Sequence, residues 1–362
     1  MRISLSKSTI SFSAAPDQSV LDAALGASLN LPHSCKGGNC GSCRARLLQG
    51  EIHYPNGPPL GLSESEVAEG LVLLCQARAR SDLSIETYEM ATPDQVLIKR
   101  LPARIERAVL LSHDVMGLYL RLPIAESFPF EAGQYVDIML SGGRRRSFSI
   151  ASPPHDARLL ELHVRRVPGG EYSERLFDQD PQNALLTIEG PLGQFVYRPR
   201  AATPGVMVAP MLLVGGGTGL APLLSILRHV AENGIERDMI LYWGVRSECD
   251  LYAQRVLEDL AQPRVGVGAG AGRRGRLSYV PVLSEASPAW RGSRGFVHEA
   301  VLKDIDDLEK YDVYAAGPPA MIAAVRSEFG RRGVAADRLF FDSFDYAPDA
   351  LERQRMSAAT KS

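Results

Sequence analysis

The sequence predicts a multidomain fold of three modules: a small α+β module, an antiparallel β-barrel, and a Rossmann-like α/β module on a parallel, doubly wound sheet. Three observations predict it. Residues 1–90 mix short alternating runs with one helix-like segment and a glycine-rich loop that holds three cysteines within nine positions. Residues 101–203 read as successive strands punctuated by Gly and Pro. Residues 204–346 repeat a strand, glycine loop, helix rhythm. A chain of 362 residues has room for three such units, and 45% hydrophobic with 23% charged residues suits several buried cores. The formal net charge of -2 provides no basic field for nucleic acid and no polybasic patch for an anionic membrane. The start MRISLSKSTI lacks the apolar core of a signal peptide, and no stretch reaches the roughly 18 apolar residues of a membrane span. These features point to a cytoplasmic chain with neither nucleic acid nor membrane as partner.

In the first module, Arg2 to Ser6 and Ile10 to Ser13 alternate as strands, and Ser19 to Ala27 reads as a helix. Residues 91–100, ATPDQVLIKR, carry a proline near their start and separate two patterns, which makes them the linker. The barrel strands are read from ARIERAVLLS, GLYLRLP, QYVDIML, RSFSIAS, LLELHVRRV and ALLTIEGPLGQF. In the third module, MLLVGGGTGLAPLLSILRHVAENG, DMILYWGVRS, a helix near Ala253 to Leu260, and YDVYAAGPPAMIAAVRSEFGRRG give the alternating β and α units. Val265 to Arg276 is low in complexity and reads as a solvated basic loop, and residues 347–362 form a C-terminal tail.

Cys35, Cys40, Cys43 and Cys75 stand at the spacing C-x4-C-x2-C followed by a distant fourth cysteine, the arrangement that holds a plant-type [2Fe-2S] cluster. Two irons bridged by sulfides need four converging thiolates. A tight loop supplies three of them only where its backbone leaves the usual basins, which Gly37, Gly38 and Gly41 permit. The alternative is a zinc site, although zinc cysteines usually come as paired knuckles and this spacing is asymmetric. Five cysteines, an odd number, fit a disulfide framework poorly, and Cys249 reads as an idle thiol. On these residues, 1–90 resembles a plant-type ferredoxin domain, of β-grasp fold. The resemblance implies a one-electron relay that performs no bond chemistry itself.

Arg146-Ser147-Phe148-Ser149 resembles the Arg-x-Tyr-Ser motif of the ferredoxin-NADP reductase family. The resemblance implies a flavin, with Arg146 on its pyrophosphate, Phe148 against the isoalloxazine ring and Ser149 hydrogen-bonded near N5. Phenylalanine in place of the family's tyrosine keeps the stacking and removes the phenol's hydrogen bond. His163-Val164-Arg165, followed by Gly169 and Gly170-Glu171-Tyr172-Ser173, is similar to the family's glycine-serine phosphate loop. Its backbone N–H groups and the Ser173 hydroxyl are expected at the pyrophosphate. The fuller second loop and the module order resemble FAD users more than FMN users.

LLVGGGTGLAP departs from G-x-G-x-x-G, because Leu220 stands where the last glycine would, and resembles instead the family's G-G-G-T-G-x-A-P loop. Gly215, Gly216, Gly217, Thr218 and Gly219 then let the backbone approach the phosphates, and the helix from near Ala221 directs its positive end at them. Gly317-Pro318-Pro319 resembles the family's Cys-Gly-Pro-Pro segment beside the nicotinamide. Here Ala316 replaces the cysteine and leaves room for the ring without a thiol. Phe341 to Tyr346 resembles the C-terminal aromatic segment, with Phe344 either a cover for the flavin or a core phenylalanine. Arg246 is a candidate contact for the adenosine ribose or its phosphate. The lack of a basic cluster around it points to NADH, with NADPH left open.

Three modules in this order are identified as an oxygenase-type ferredoxin reductase. RSFSIAS, YAAGPPAM and FFDSF together resemble the CDP-6-deoxy-delta-3,4-glucoseen reductase group. The resemblance implies an NAD(P)H-dependent oxidoreductase in which FAD converts between a two-electron donor and a one-electron cluster. Ser149 and Phe344 are the expected residues at the hydride-transfer point, and no general acid or base is expected. The work of the protein is placement: nicotinamide beside flavin, flavin edge near the cluster, water excluded. The expected partner is a protein electron acceptor, either an oxygenase component or a deoxysugar dehydratase. The non-enzymatic alternative is a metal-binding adaptor with a dead nucleotide fold.

Overall fold

The computed structural model describes residues 1–6, 8–27, 29, 31–33, 36–38, 41–59, 61–62, 64–87, 98–199, 208–262 and 276–344. Cys35, Cys40, most of the 91–100 linker, nearly all of the 265–276 loop and the whole 347–362 tail lie outside the described residues. The chain divides into two compact units, Met1–Val96 and Leu97–Ser362.

In the first unit the strands are β1 (Arg2–Leu5), β2 (Ser11–Ser13), β3 (Arg44–Gln49), β4 (Ile52–His53), β5 (Leu71–Leu73), β6 (Arg78–Ala79) and β7 (Leu83–Glu86). Two helices, α1 (Val20–Gly26) and α2 (Glu64–Ala68), accompany them. The main sheet runs β2-β1-β7-β3-β5, with β1 and β7 parallel and the other neighbours antiparallel, and β4 pairs with β6. Ser19 starts α1 where the sequence places it: its hydroxyl accepts the Asp22 N–H at 3.1 Å and satisfies one of the orphan donors of the first turn. The helix then buries Val20, Leu21, Ala23 and Ala24 among Ile3, Leu5, Phe12 and Ile85 of the sheet. One helix on a mixed sheet is the β-grasp arrangement.

The second unit opens with an antiparallel sheet of β8 (Lys99–Ser112), β9 (Val115–Arg121), β10 (Tyr135–Met139), β11 (Arg145–Ser149), β12 (Leu159–Arg165) and β13 (Leu185–Leu192), with α3 (Glu171–Asp178) between the last two. The order is β11-β10-β13-β8-β9-β12, and an Ile150–Leu162 bridge brings the two edges together, closing the barrel. Alternation sets what goes inside: Leu118, Leu120, Leu160, Leu162 and Val164 are fully buried, and each such side chain contributes about 1.5–3 kcal/mol. On β12 the other face is buried as well, through Glu161 and His163, because the last module covers it.

That last module is a parallel sheet of β14 (Met211–Gly216), β15 (Met239–Val245), β16 (Leu277–Leu283), β17 (Ser293–Arg294), β18 (Asp312–Gly317) and β19 (Leu339–Ser343). Four helices join it: α4 (Leu220–Glu232), α5 (Gln254–Ala261), α6 (Val297–Asp304) and α7 (Pro319–Arg331). The order β17-β16-β15-β14-β18-β19 reverses direction between β14 and β18. A sheet of this kind opens its ligand crevice at the carboxyl ends of the strands beside such a reversal. The glycine loop and the Gly317-Pro318 segment both lie there. Among the described residues no helix is long and apolar enough to cross a membrane.

Candidate functional site

Of the four predicted cluster ligands, Cys43 and Cys75 are among the described residues, 2% and 7% exposed. Cys43 sits just before β3 and Cys75 just after β5; the Cys43 carbonyl accepts the Leu74 N–H at 3.0 Å, which ties the two positions together. Among the described residues of the cysteine loop, Gly38 and Gly41 take the left-handed backbone, whereas Lys36 takes it in place of Gly37. Gly38 and Gly41 have φ of 85° and 74°, and a Cβ would meet the Gln76 Cγ at 2.7 Å from the first and the Arg44 guanidinium at 2.7 Å from the second. Gln76 holds the loop from beside Cys75, donating its amide to the Lys36 carbonyl at 2.8 Å. Arg44 donates to the Gly61 carbonyl at 2.7 Å and pairs with Glu66 at 3.0 Å. Buried thiols under a glycine-built loop suit a thiolate-held cluster.

In the barrel, β11 carries Arg146, Ser147, Phe148 and Ser149 in register with Ile138, Asp137, Val136 and Tyr135 of β10. Ser149 is buried, and Ser147 donates to Asp137 at 2.6 Å. The Arg146 guanidinium donates to the Arg145 carbonyl at 2.8 Å. The Phe148 ring lies 6.0 Å from that of Tyr172, the second residue of α3. Tyr172 is buried with its hydroxyl lacking a hydrogen-bond partner, and burial pushes that phenol far above its usual range. Gly170 is the N-cap of α3. The Ser173 hydroxyl accepts the Val167 N–H at 3.1 Å and donates to the Gly170 carbonyl at 3.1 Å, so it braces its own loop. Glu171 pairs with Arg144 at 2.8 Å.

His163 and Val164 take places that the motif does not reveal. Val164 is in the barrel core. The His163 Nδ1 lies 3.0 Å from the Tyr252 hydroxyl and its Nε2 3.1 Å from Glu161, while Arg228 of α4 pairs with the same carboxylate. Burial pushes the Glu161 carboxyl up, but the hydrogen bond and charge of His163 and the Arg228 guanidinium outweigh it and bring the group down to about 2. Ser225 of α4 adds a hydrogen bond to the Ser152 carbonyl at 2.8 Å. These contacts join the barrel to the parallel-sheet module.

At the crevice, the glycine loop leaves β14, makes one tight turn over Gly217–Gly219 and enters α4. A Cβ on Gly219 would stand 2.0 Å from the Ala316 carbonyl oxygen, and one on Gly216 would stand 2.7 Å from the Met321 sulfur. Only glycine lets the ends of β14 and β18 pass this closely. The buried Trp243 donates its indole N–H to the Gly217 carbonyl at 2.9 Å and fixes the loop from below. Thr218 is half-buried on the turn. The Phe344 N–H donates to the Gly317 carbonyl at 2.9 Å, which sets Phe344 beside Pro318 at the same edge. From the barrel side, Arg165 reaches the turn and pairs with Asp114 at 2.9 Å, and Arg246 donates to the same carboxylate at 3.3 Å. Asp114, Trp243 and the Glu161 group escape sequence reasoning, because their partners lie far along the chain and no spacing announces them.

Three family models match in chain order: the 2Fe-2S iron-sulfur cluster binding domain over residues 3–80, the oxidoreductase FAD-binding domain over 102–197, and the oxidoreductase NAD-binding domain over 213–327. The CDP-6-deoxy-L-threo-D-glycero-4-hexulose-3-dehydrase reductase of Yersinia pestis is 35% identical over 95% of this chain and 98% of its own length. The chain belongs to the three-module iron–sulfur flavoprotein reductases.

Other members are equally similar. Reductase component 2 of terephthalate 1,2-dioxygenase from Comamonas is 34% identical over 96% of this chain and 98% of its own. The crystal structure of the Amycolatopsis cytochrome P450 reductase GcoB has a TM-score of 0.75, with 34% identity over 95% of this chain and 98% of that one. As a member of this reductase family, the chain is an NAD(P)H-dependent electron-transfer oxidoreductase with [2Fe-2S], FAD and NAD(P) domains, acting on a protein electron acceptor.

Proposed function

We propose that this reductase draws electrons from NADH and delivers them to the oxygenase component of a multicomponent oxygenase. The modules would run over 1–90, 101–203 and 204–346. When bound, FAD supplies the exchange between hydride and single electrons. Arg146 and the backbone amides at the start of α3 would hold the flavin pyrophosphate. Phe148 would lie against the ring, and the orphaned Tyr172 hydroxyl beside it, a buried donor without an acceptor, fits a polar flavin chain. Ser149 and Phe344 would flank the transfer point and keep water out. Gly216, Gly217, Thr218 and Gly219 would take the nicotinamide dinucleotide phosphates, with Gly317 and Pro318 at the ring. Cys35, Cys40, Cys43 and Cys75 would ligate the cluster.

The observation that supports the dinucleotide part of this reading is the close glycine packing of the loop after β14 on the end of β18, which leaves bare backbone beside the barrel's Arg165. NADH is favoured over NADPH because Arg246 already lies between two carboxylates, 3.3 Å from Asp114 and 3.9 Å from Asp250, which oppose a 2′-phosphate. A dehydratase acceptor is the second reading, favoured by the Yersinia pestis relative, whose printed name is that of a dehydrase reductase. Reconstitution decides between them: NADH-driven turnover with an oxygenase component, and none with a deoxysugar dehydratase, supports the first. The reverse result replaces it with the second.

A further inference from the structure

We propose that His113, Cys249 and Asp250 form a binding site for a thiophilic divalent cation of zinc's class. The site lies where the β8–β9 turn meets the loop after β15. Their ligand atoms lie within 4.8 Å of one another, with the His113 Nδ1 3.7 Å from the Asp250 Oδ1 and the Cys249 Sγ 4.0 Å from the same nitrogen. Tetrahedral zinc with bonds of about 2.0–2.3 Å separates its donors by about 3.3–3.7 Å, so the widest pair closes by about 1 Å, within reach of a rotation of the exposed Cys249 and His113 side chains. Asp250 supplies the independent observation. It is 3% exposed, and its Oδ1 has no hydrogen-bond partner. Its Oδ2 is fixed by the Ser247 N–H at 3.0 Å and the Ser247 hydroxyl at 2.9 Å. The carboxylate is thus held by one oxygen and presents the other, desolvated, to the imidazole and the thiol, a costly arrangement for a bare oxygen.

Sulfur and imidazole nitrogen beside one carboxylate oxygen select zinc-like ions over calcium or magnesium, which take oxygen ligands. Arg246, 3.9 Å from the Asp250 Oδ1, makes its closer contact with Asp114 at 3.3 Å, where Arg165 pairs as well, so a metal on Asp250 has to displace only the longer of its two carboxylate contacts. Cys249 and His113 are exposed, which gives the ion its path in and leaves the fourth position to water. On binding, the Cys249 thiol releases its proton to solvent and the imidazole donates a lone pair to the ion.

The test uses the iron- and flavin-loaded protein, equilibrated with zinc chloride, desalted, and assayed for zinc, iron and flavin together. The site predicts about one zinc per chain above the level in a His113→Ala, Cys249→Ala double variant, with iron and flavin equal in both. Each single variant should weaken zinc binding by about 100-fold or more, since even residues behind a metal ligand are worth 10–100-fold. Zinc should also slow alkylation of Cys249 by iodoacetamide, read by peptide mass mapping. Equal zinc in the wild-type chain and the double variant, or alkylation of Cys249 at the same rate with and without zinc, overturns the proposal.

Discussion

The two ends of the parallel sheet are made of opposite materials. At the amino end, Arg237 and Asp312 are each 1% exposed and paired, and Arg338 donates to the other Asp312 oxygen at 2.9 Å. Arg237 also donates to the carbonyls of Ala209 at 2.7 Å and Arg198 at 3.3 Å, so desolvated charge there is well supplied with partners. At the carboxyl end, the parallel neighbours β14 and β18 and the turn after β14 pack through Gly216, Gly219 and Gly317, with almost no side chain between them. Charge locks the strands at one end. Bare backbone is left at the other, where a sheet of this kind opens its ligand crevice.

The comparison is broken most severely at the amino end. Asp312→Ala leaves the Arg237 guanidinium buried and unpaired, and should cost about 3–5 kcal/mol and about 10 °C or more in Tm, as followed by calorimetry. The protein that remains folded should reduce ferricyanide with NADH at the wild-type kcat/KM. A comparable loss of kcat/KM would mean that the two ends are not separate in function.

Next in size is the Glu161 group between the barrel and the parallel-sheet module. Glu161→Gln removes the charge opposite Arg228, which keeps the Ala151 carbonyl at 3.0 Å, and should cost about 1–3 kcal/mol at neutral pH. The Glu161 carboxyl is held down to about 2, below its ordinary 4.5, so its contribution is complete above about pH 4.5 and disappears as pH falls through the folded value. The Tm gap between wild type and Glu161→Gln should therefore narrow as pH falls from about 4.5 to 3. A gap that keeps widening below about pH 4.5 contradicts the assigned ionisation.

At the carboxyl end the effects are functional rather than global. Gly219→Ala places a methyl 2.0 Å from the Ala316 carbonyl oxygen and has to part the loop from β18. The expected result is a fall of about 100-fold in kcat/KM for NADH with iron and flavin content unchanged, the loss that a misplacement of about 1 Å brings. Stopped-flow flavin reduction measures it. Arg146→Ala is the mildest, weakening flavin binding by about tenfold, as the loss of one charge-assisted contact does. Flavin retained through gel filtration at wild-type occupancy would remove Arg146 from the phosphate role.

The amino and carboxyl ends differ equally in how far the sequence revealed them. The glycine loop was legible because a close backbone approach has a local signature: strand, glycines, helix within a dozen residues. The barrel strands were legible from their alternation, and α1 from the helix-like run Ser19 to Ala27. The Arg237–Asp312–Arg338 set was not, since it unites residues 75 and 26 positions apart and each reads alone as an ordinary surface charge. His163 shows the same limit from the other side. Its place in a motif suggested a cofactor contact, whereas both ring nitrogens are hydrogen-bonded within the protein, to Tyr252 and Glu161.

The most direct test of the whole account is an anaerobic titration of the purified reductase with NADH, followed by visible absorption and EPR. The chain should take up about three electron equivalents, two on the flavin and one on the iron, with an EPR signal from the reduced [2Fe-2S] cluster appearing as the flavin bleaches. Flavin that bleaches while the cluster stays oxidised and EPR-silent would contradict the claim that one chain turns a two-electron donor into a one-electron supply.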